Sequence, residues 1–132
     1  MARRATPDHT MPLHFELRRY PRFVRYDASG QASLEDMKRF VDAVEEGTRA
    51  SGERRVLVDL TAVDEHLKFT DHYAIGELVA RRLAHLERLA SLVPAARRTG
   101  TSEKVANTQG TLLRVFVEEA AAFAWLEETA AR

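Results

Sequence analysis

The stretch "RRVLVDL" at residues 54–60 restricts the fold of this chain more than any other. Val56, Leu57 and Val58 form an unbroken apolar run, and Leu60 extends it beyond Asp59. A run this short and without alternation suits a strand buried on both faces. Such strands sit in the middle of parallel sheets that helices cover. The flanking sequence supplies those helices. Upstream, "ASLEDMKRFVDAVEEGTRASG" sets Leu34, Met37, Phe40, Val41 and Val44 at helical spacing, with Ser33 as N-cap, Glu35 and Asp36 in the first turn and an end near Gly52. Downstream, "TDHYAIGELVARRLAHL" places Tyr73, Ile75, Leu78, Val79 and Leu83 on one broad side, with Thr70 or Asp71 as its cap.

The remaining segments continue the alternation. In "LHFELRRYPRFVRYDASG", Leu13, Phe15 and Leu17 alternate with polar neighbours, then Phe23 with Arg22 and Tyr26 with Arg25, which reads as a hairpin turning near Arg19 to Pro21 and closed by Gly30. "RLASLVP" is a further strand stopped by Pro94, "SEKVANTQG" a short helix ending at Gly110, "LLRVFV" a last strand, and "EEAAAFAWLEETAA" a final helix whose inner face carries Phe123, Trp125 or Leu126. The expected order is β-β-α-β-α-β-α-β-α. It predicts a single α/β domain with a mostly parallel mixed sheet, about four helices and an N-terminal β-hairpin. Residues 1–11 are polar, contain Pro7 and lack periodicity, so a flexible arm is expected there and the domain over residues 12–132.

Composition narrows the function. Lys and Arg number 20, as do Asp and Glu, so no net field draws the chain to nucleic acid or an anionic membrane. The arginines of "RRYPRFVR" are assigned to the wet face of the hairpin rather than to a nucleic-acid patch. There is no cysteine, which removes disulfides, thiolate nucleophiles and cysteine zinc sites together. No stretch approaches the roughly 20 apolar residues of a membrane span, and a cytoplasmic protein is expected.

The loops leaving the carboxyl ends of adjacent parallel strands converge at one edge of the sheet, where ligands of open α/β sheets bind. That edge would bring Asp64, Glu65, His66 and Thr70 towards Arg97, Arg98, Thr101 and Ser102. Two arginines, a glycine turn and hydroxyls at a helix start suit a small anion, but "RRTGTSEKV" lacks the Gly-Lys-Ser/Thr ending of a P-loop. His66 and His72, with Asp64, Glu65 and Asp71 nearby, are of metal-ligand type without the HExxH spacing. No metal or cofactor is expected. No Gly-x-Ser-x-Gly elbow occurs, and no catalytic residue can be named.

The succession "SG", "SLEDM", "RRVLVDLTAVD", "TDHYAIGELVARRL", "RLASLVP" and "TLLRVFVEEAAAFAWL" resembles the SpoIIAA-like members of the STAS-type fold over roughly residues 12 to 130. The resemblance implies a binding or regulatory module rather than an enzyme. In anti-sigma antagonists of that kind a phosphorylatable Ser or Thr sits where the loop after a central strand enters a helix. The matching hydroxyl here is Thr70, and Phe69, Thr70, Asp71 and His72 replace the usual Asp-Ser-Ser-Gly-like run. The expectation is a non-catalytic regulatory or protein-interaction domain with Thr70 as its switch. Its interaction surface would draw on Asp64, His66, Asp71, Arg97, Arg98, Thr101 and Ser102. The alternative is a small-ligand or anion-binding protein using the same edge, and homodimerisation through an exposed helix face or the hairpin edge fits either.

Overall fold

The computed structural model describes residues 12–97 and 101–129, apart from the side chains of Thr101 and Ser102. The arm expected over residues 1–11 lies outside them, as does Arg98. The described chain runs β1 (His14–Arg19), β2 (Val24–Ala32), α1 (Leu34–Ser51), β3 (Arg55–Glu65), α2 (Phe69–Arg82), β4 (Arg88–Leu92), a 3-10 turn (Ala95–Arg97), α3 (Thr101–Thr108), β5 (Leu113–Phe116) and α4 (Glu119–Glu127). The strands lie in the order β1-β2-β3-β4-β5, with β1 antiparallel to β2 and every other pair parallel. Among the described residues no helix is long and apolar enough to cross a membrane.

Local chemistry sets the boundaries of α1. The Ser33 hydroxyl accepts the Asp36 N–H at 3.2 Å while the Asp36 carboxylate accepts the Ser33 N–H at 3.0 Å. Two of the helix's free donors are thereby satisfied reciprocally. At the other end Gly52, at φ +80°, turns the chain out of the helix.

The helices bury the sheet from two sides. Val24, Tyr26, Val56, Val58 and Leu89 pack beneath Met37, Phe40 and Val44 of α1 and Ile75 and Val79 of α2. On the opposite face Phe23, Leu57, Ala90 and Leu92 lie under Ala122, Trp125 and Leu126 of α4. Successive side chains of β3 therefore serve different cores, which is why its sequence shows no alternation.

Four sequence expectations change. Arg25 is buried rather than wet, because Glu119 in the first turn of α4 meets the guanidinium and the Phe123 ring lies 5.8 Å from it. Gly30 lies inside β2 instead of closing the hairpin. At φ +108° a Cβ there would fall 2.4 Å from the Pro12 carbonyl oxygen, so only glycine lets the two backbones approach. Tyr73 is 43% exposed, and Ile75, Gly76, Leu78, Val79 and Ala80 form the buried side of the helix, continued by Leu83. Finally, β3 continues past the run at residues 54–60 to Glu65, since its later residues still pair with Ser29 to Ala32 of β2, and only residues 66–68 separate it from α2.

The sheet's two edges are finished differently. Along β5, the Asn107 amide accepts the Leu113 N–H at 3.2 Å and donates to the Leu113 carbonyl at 2.8 Å, and Glu103 accepts the Val115 N–H at 3.0 Å. Side chains of α3 thus occupy the backbone groups that a further strand would use. Among the described strands β1 pairs with β2 alone.

Candidate functional site

The carboxyl ends of β3, β4 and β5 meet the amino end of α2 at one edge. Helix α2 begins after Lys68, whose N–H donates to the Asp71 carboxylate at 3.0 Å. Asp71 is three residues into the helix and reaches back to close it, so neither Thr70 nor Asp71 is itself the N-cap. Thr70 lies within the first turn and is exposed. Asp64 and His66 are also exposed, with 3.6 Å between His66 Nε2 and Asp64 Oδ1.

Three groups turn inward instead. Arg97, in the 3-10 turn, donates from Nη2 to the Leu60 carbonyl at 3.1 Å, and its Nη1 lies 3.2 Å from Glu65 Oε2. The other carboxylate oxygen of Glu65 stands 3.5 Å from His72 Nε2. Glu65 therefore bridges a guanidinium and an imidazole at the rim of a cavity of about 110 Å³. Its interior is apolar, with Met37, Phe40, Val44, Ile75, Val79 and Leu113 among its walls, and Ser91 and Glu103 add polar groups to its lining. Such a space suits a small apolar body with a polar end.

Sequence reasoning brought Glu65 and Arg97 to this edge and left out His72, and it foresaw no pocket lined by Glu65 and His72. Both carry a signal. Glu65 follows Val63 at the strand period of two, and His72 precedes Ile75 and Val79 at helical spacing, so each shares the face of a core residue. His72 is linked to Arg97 through Glu65, while His66 stays at the surface. Thr101 and Ser102 open α3, Arg98 is outside the described residues, and among the described residues no cluster of three or more His, Asp or Glu could hold a metal ion.

A second polar assembly lies on the opposite face. The Arg25 side chain is only 6% exposed and meets three carboxylates: Asp27 at 2.7 Å, Asp59 at 2.7 Å and Glu119 at 2.5 Å. Burial works against its charge, but the hydrogen bonds to Glu119, Asp27 and Asp59 outweigh it and raise its pKa above the ordinary arginine value. For Asp27 burial is likewise the largest single influence, opposed and overcome by hydrogen bonds from Arg25 and Arg18, which hold its carboxyl below the usual range. Beyond Asp27 and Asp59 the groove lined by His14, Glu16, Ser29 and Thr61 is polar. The arrangement ties α4 to β2 and β3.

Comparison with known proteins places this geometry. A family model described as SpoIIAA-like matches residues 23–127. No curated protein matches at a significant level. Among solved structures, an anti-sigma factor antagonist from Mycobacterium paratuberculosis is 12% identical with a TM-score of 0.59, the match covering 88% of this chain and 95% of that one. An uncharacterized protein with a SpoIIAA-like fold from Shewanella loihica is 17% identical with a TM-score of 0.57, over 92% and 99% of the two chains. At these identities the structural likeness speaks to the fold alone. The family match spans most of the chain, the sheet and helices agree with it, and the protein belongs to the SpoIIAA-like family.

Proposed function

We propose that this protein is a non-catalytic regulatory domain that binds a protein partner through the start of α2. The observation that carries this reading is the pair Phe69 and Tyr73, 69% and 43% exposed and one helical turn apart at the amino end of α2. Exposed aromatics clustered at the tip of a rigid element are the side chains that dominate protein interfaces. Asp64, His66 and Lys68, all exposed, add polar and charged groups just before them in the chain. The resemblance to a protein named an anti-sigma factor antagonist supports a partner of the anti-sigma type.

Thr70 sits between the two aromatics, where a phosphate would lie beside the free N–H groups of the first turn and within the proposed contact. Phosphorylation there would add charge to the interface and release the partner. A cytoplasmic address belongs to the same proposal and suits a chain without cysteine.

Quantitative affinity purification with the wild-type chain and with a Phe69→Asp/Tyr73→Asp variant tests the reading. A partner held by the wild type and lost from the variant, with melting temperature unchanged, is the expected result. Identical partners for both would sink it.

The cavity favours a second reading, in which a small acyl-type ligand places its chain among Phe40, Ile75 and Val79 and an anionic head against Arg97, near Arg98, Thr101 and Ser102 in sequence. A ligand that binds only the native state raises its stability. Short-chain carboxylates would then raise the melting temperature of the wild type and not of Arg97→Gln; no shift at any chain length excludes this reading.

A further inference from the structure

The hairpin fixes which backbone groups β1 shows to solvent. The Tyr20 N–H donates to the Phe23 carbonyl at 2.8 Å, which makes residues 20 and 23 a hydrogen-bonded pair. Such pairs alternate along an antiparallel ladder. The register runs unbroken from Arg19 opposite Val24 to His14 opposite Ser29, so His14, Glu16 and Arg18 turn their backbone groups to β2. Phe15, Leu17 and Arg19 turn theirs outward, on the edge that no described element covers.

We propose that β1 is a self-complementary edge, across which a second copy of this chain pairs antiparallel about a two-fold axis at Leu17, with Glu16 of each copy meeting the partner's Arg18.

Charge selects this register. Outward-facing residues must meet outward-facing residues, which leaves three central alignments. With Leu17 opposite the partner's Phe15, Glu16 faces the partner's Glu16. With Leu17 opposite the partner's Arg19, Arg18 faces the partner's Arg18. Like charges directly opposed destabilise a sheet. With Leu17 opposite the partner's Leu17, all three outward residues are paired and two Glu16 to Arg18 pairs form. They occupy the non-hydrogen-bonded positions, where side chains on neighbouring strands approach most closely.

The monomer shows what each group would gain. Glu16 stands opposite Asp27 in the β1–β2 ladder, a like-charge arrangement that a guanidinium on its other side relieves. Arg18 already donates to Asp27 at 3.0 Å, yet its side chain is more than half exposed. Leu17 is 41% exposed and lies on the same side of the strand as Phe15, so two copies would shield each other's leucine. The blocked β5 edge, held by Asn107 and Glu103, directs strand pairing to β1 alone among the described edges.

Sedimentation velocity of the full chain over a concentration series is the first measurement, with a dimer that weakens as salt rises the expected result. Glu16→Arg and Arg18→Glu should each weaken association about tenfold or more. Mixing the two variants should restore it, because the mixed pair recovers both ion pairs. Since the chain has no cysteine, Leu17→Cys should form a disulfide-linked dimer on mild oxidation, at a separation of about 5.5 Å between the two Cα atoms. Glu16→Cys, which faces position 18, should not. A wild-type chain that stays monomeric at every concentration overturns the proposal, as does equal cross-linking at positions 16 and 17. A wild-type dimer whose charge variants fail to complement one another overturns it too, and assigns dimerisation to another surface.

Discussion

Arg25 Nη2 and the Asp59 carboxylate meet at 2.7 Å beneath the first turn of α4, joining neighbouring strands through a pair that the helix shields from water. The guanidinium is the shared centre of Asp27, Asp59 and Glu119, so removing it leaves three carboxylates facing one another. Arg25→Met should lower unfolding stability by about 2 to 4 kcal/mol, read by urea denaturation. Glu119→Gln should cost less than about 1 kcal/mol, since Glu119 is more than half exposed.

The same cluster sets an acid limit. Asp27 titrates below its ordinary value of 3.8 in the folded chain, so its contribution is present in full above that value and is lost as pH falls through the folded pKa. Wild-type stability should therefore fall more steeply below about pH 4 than that of Asp27→Asn, a difference that melting curves measured against pH will show.

His85 predicts a second pH effect, near neutrality. Its Nε2 lies 2.8 Å from Thr48 Oγ1, whose own proton goes to the Val44 carbonyl at 2.7 Å. The imidazole must then donate from Nε2, which leaves Nδ1 bare, buried and without a hydrogen-bond partner. Burial first, then the charge of Arg49 and Arg54 against an opposing Glu45, lowers its pKa below 6.5. A lowered histidine stabilises the fold above the unfolded value and loses that contribution as pH drops. Melting temperature should decline on going from pH 7 to pH 5, with a smaller decline in His85→Gln.

Gly47 faces the phenol of Tyr26 across the α1 interface. A Cβ at this position would come within 2.6 Å of Tyr26 Oη, and the Tyr26 ring is fixed between Phe15 and Phe40. Gly47→Ala should destabilise by about 1 to 3 kcal/mol despite alanine's better helix propensity. Equilibrium unfolding of this variant beside Gly52→Ala, where open space leaves only a backbone penalty of about 1 kcal/mol, separates the clash from conformational strain.

Asn107 guards the β5 edge. Asn107→Ala should lower stability by about 1 to 2 kcal/mol by stripping Leu113 of both side-chain bonds, and should raise the rate of aggregation followed by light scattering.

Much of this molecule could be read from its residues. The continuous run at Val56 to Val58, the capping pair Ser33 and Asp36, and the stop at Gly52 act through neighbours a few residues away, so the sequence alone determined the elements, their order and the parallel sheet. What lay out of reach depended on which elements cover which faces. Arg25 looked wet because a strand's pattern does not say that Glu119 and Phe123 of a distant helix will close over its side chain. Tyr73 looked buried because helical spacing gives a face its width and not its limits. His72 joined Glu65 and Arg97 only when the ends of β3 and β4 and the start of α2 were brought together, and the guarded edge at Asn107 arose in the same way. Propensity and capping are local free energies, whereas burial, edge protection and the cavity are properties of surfaces that exist only after the layers have packed.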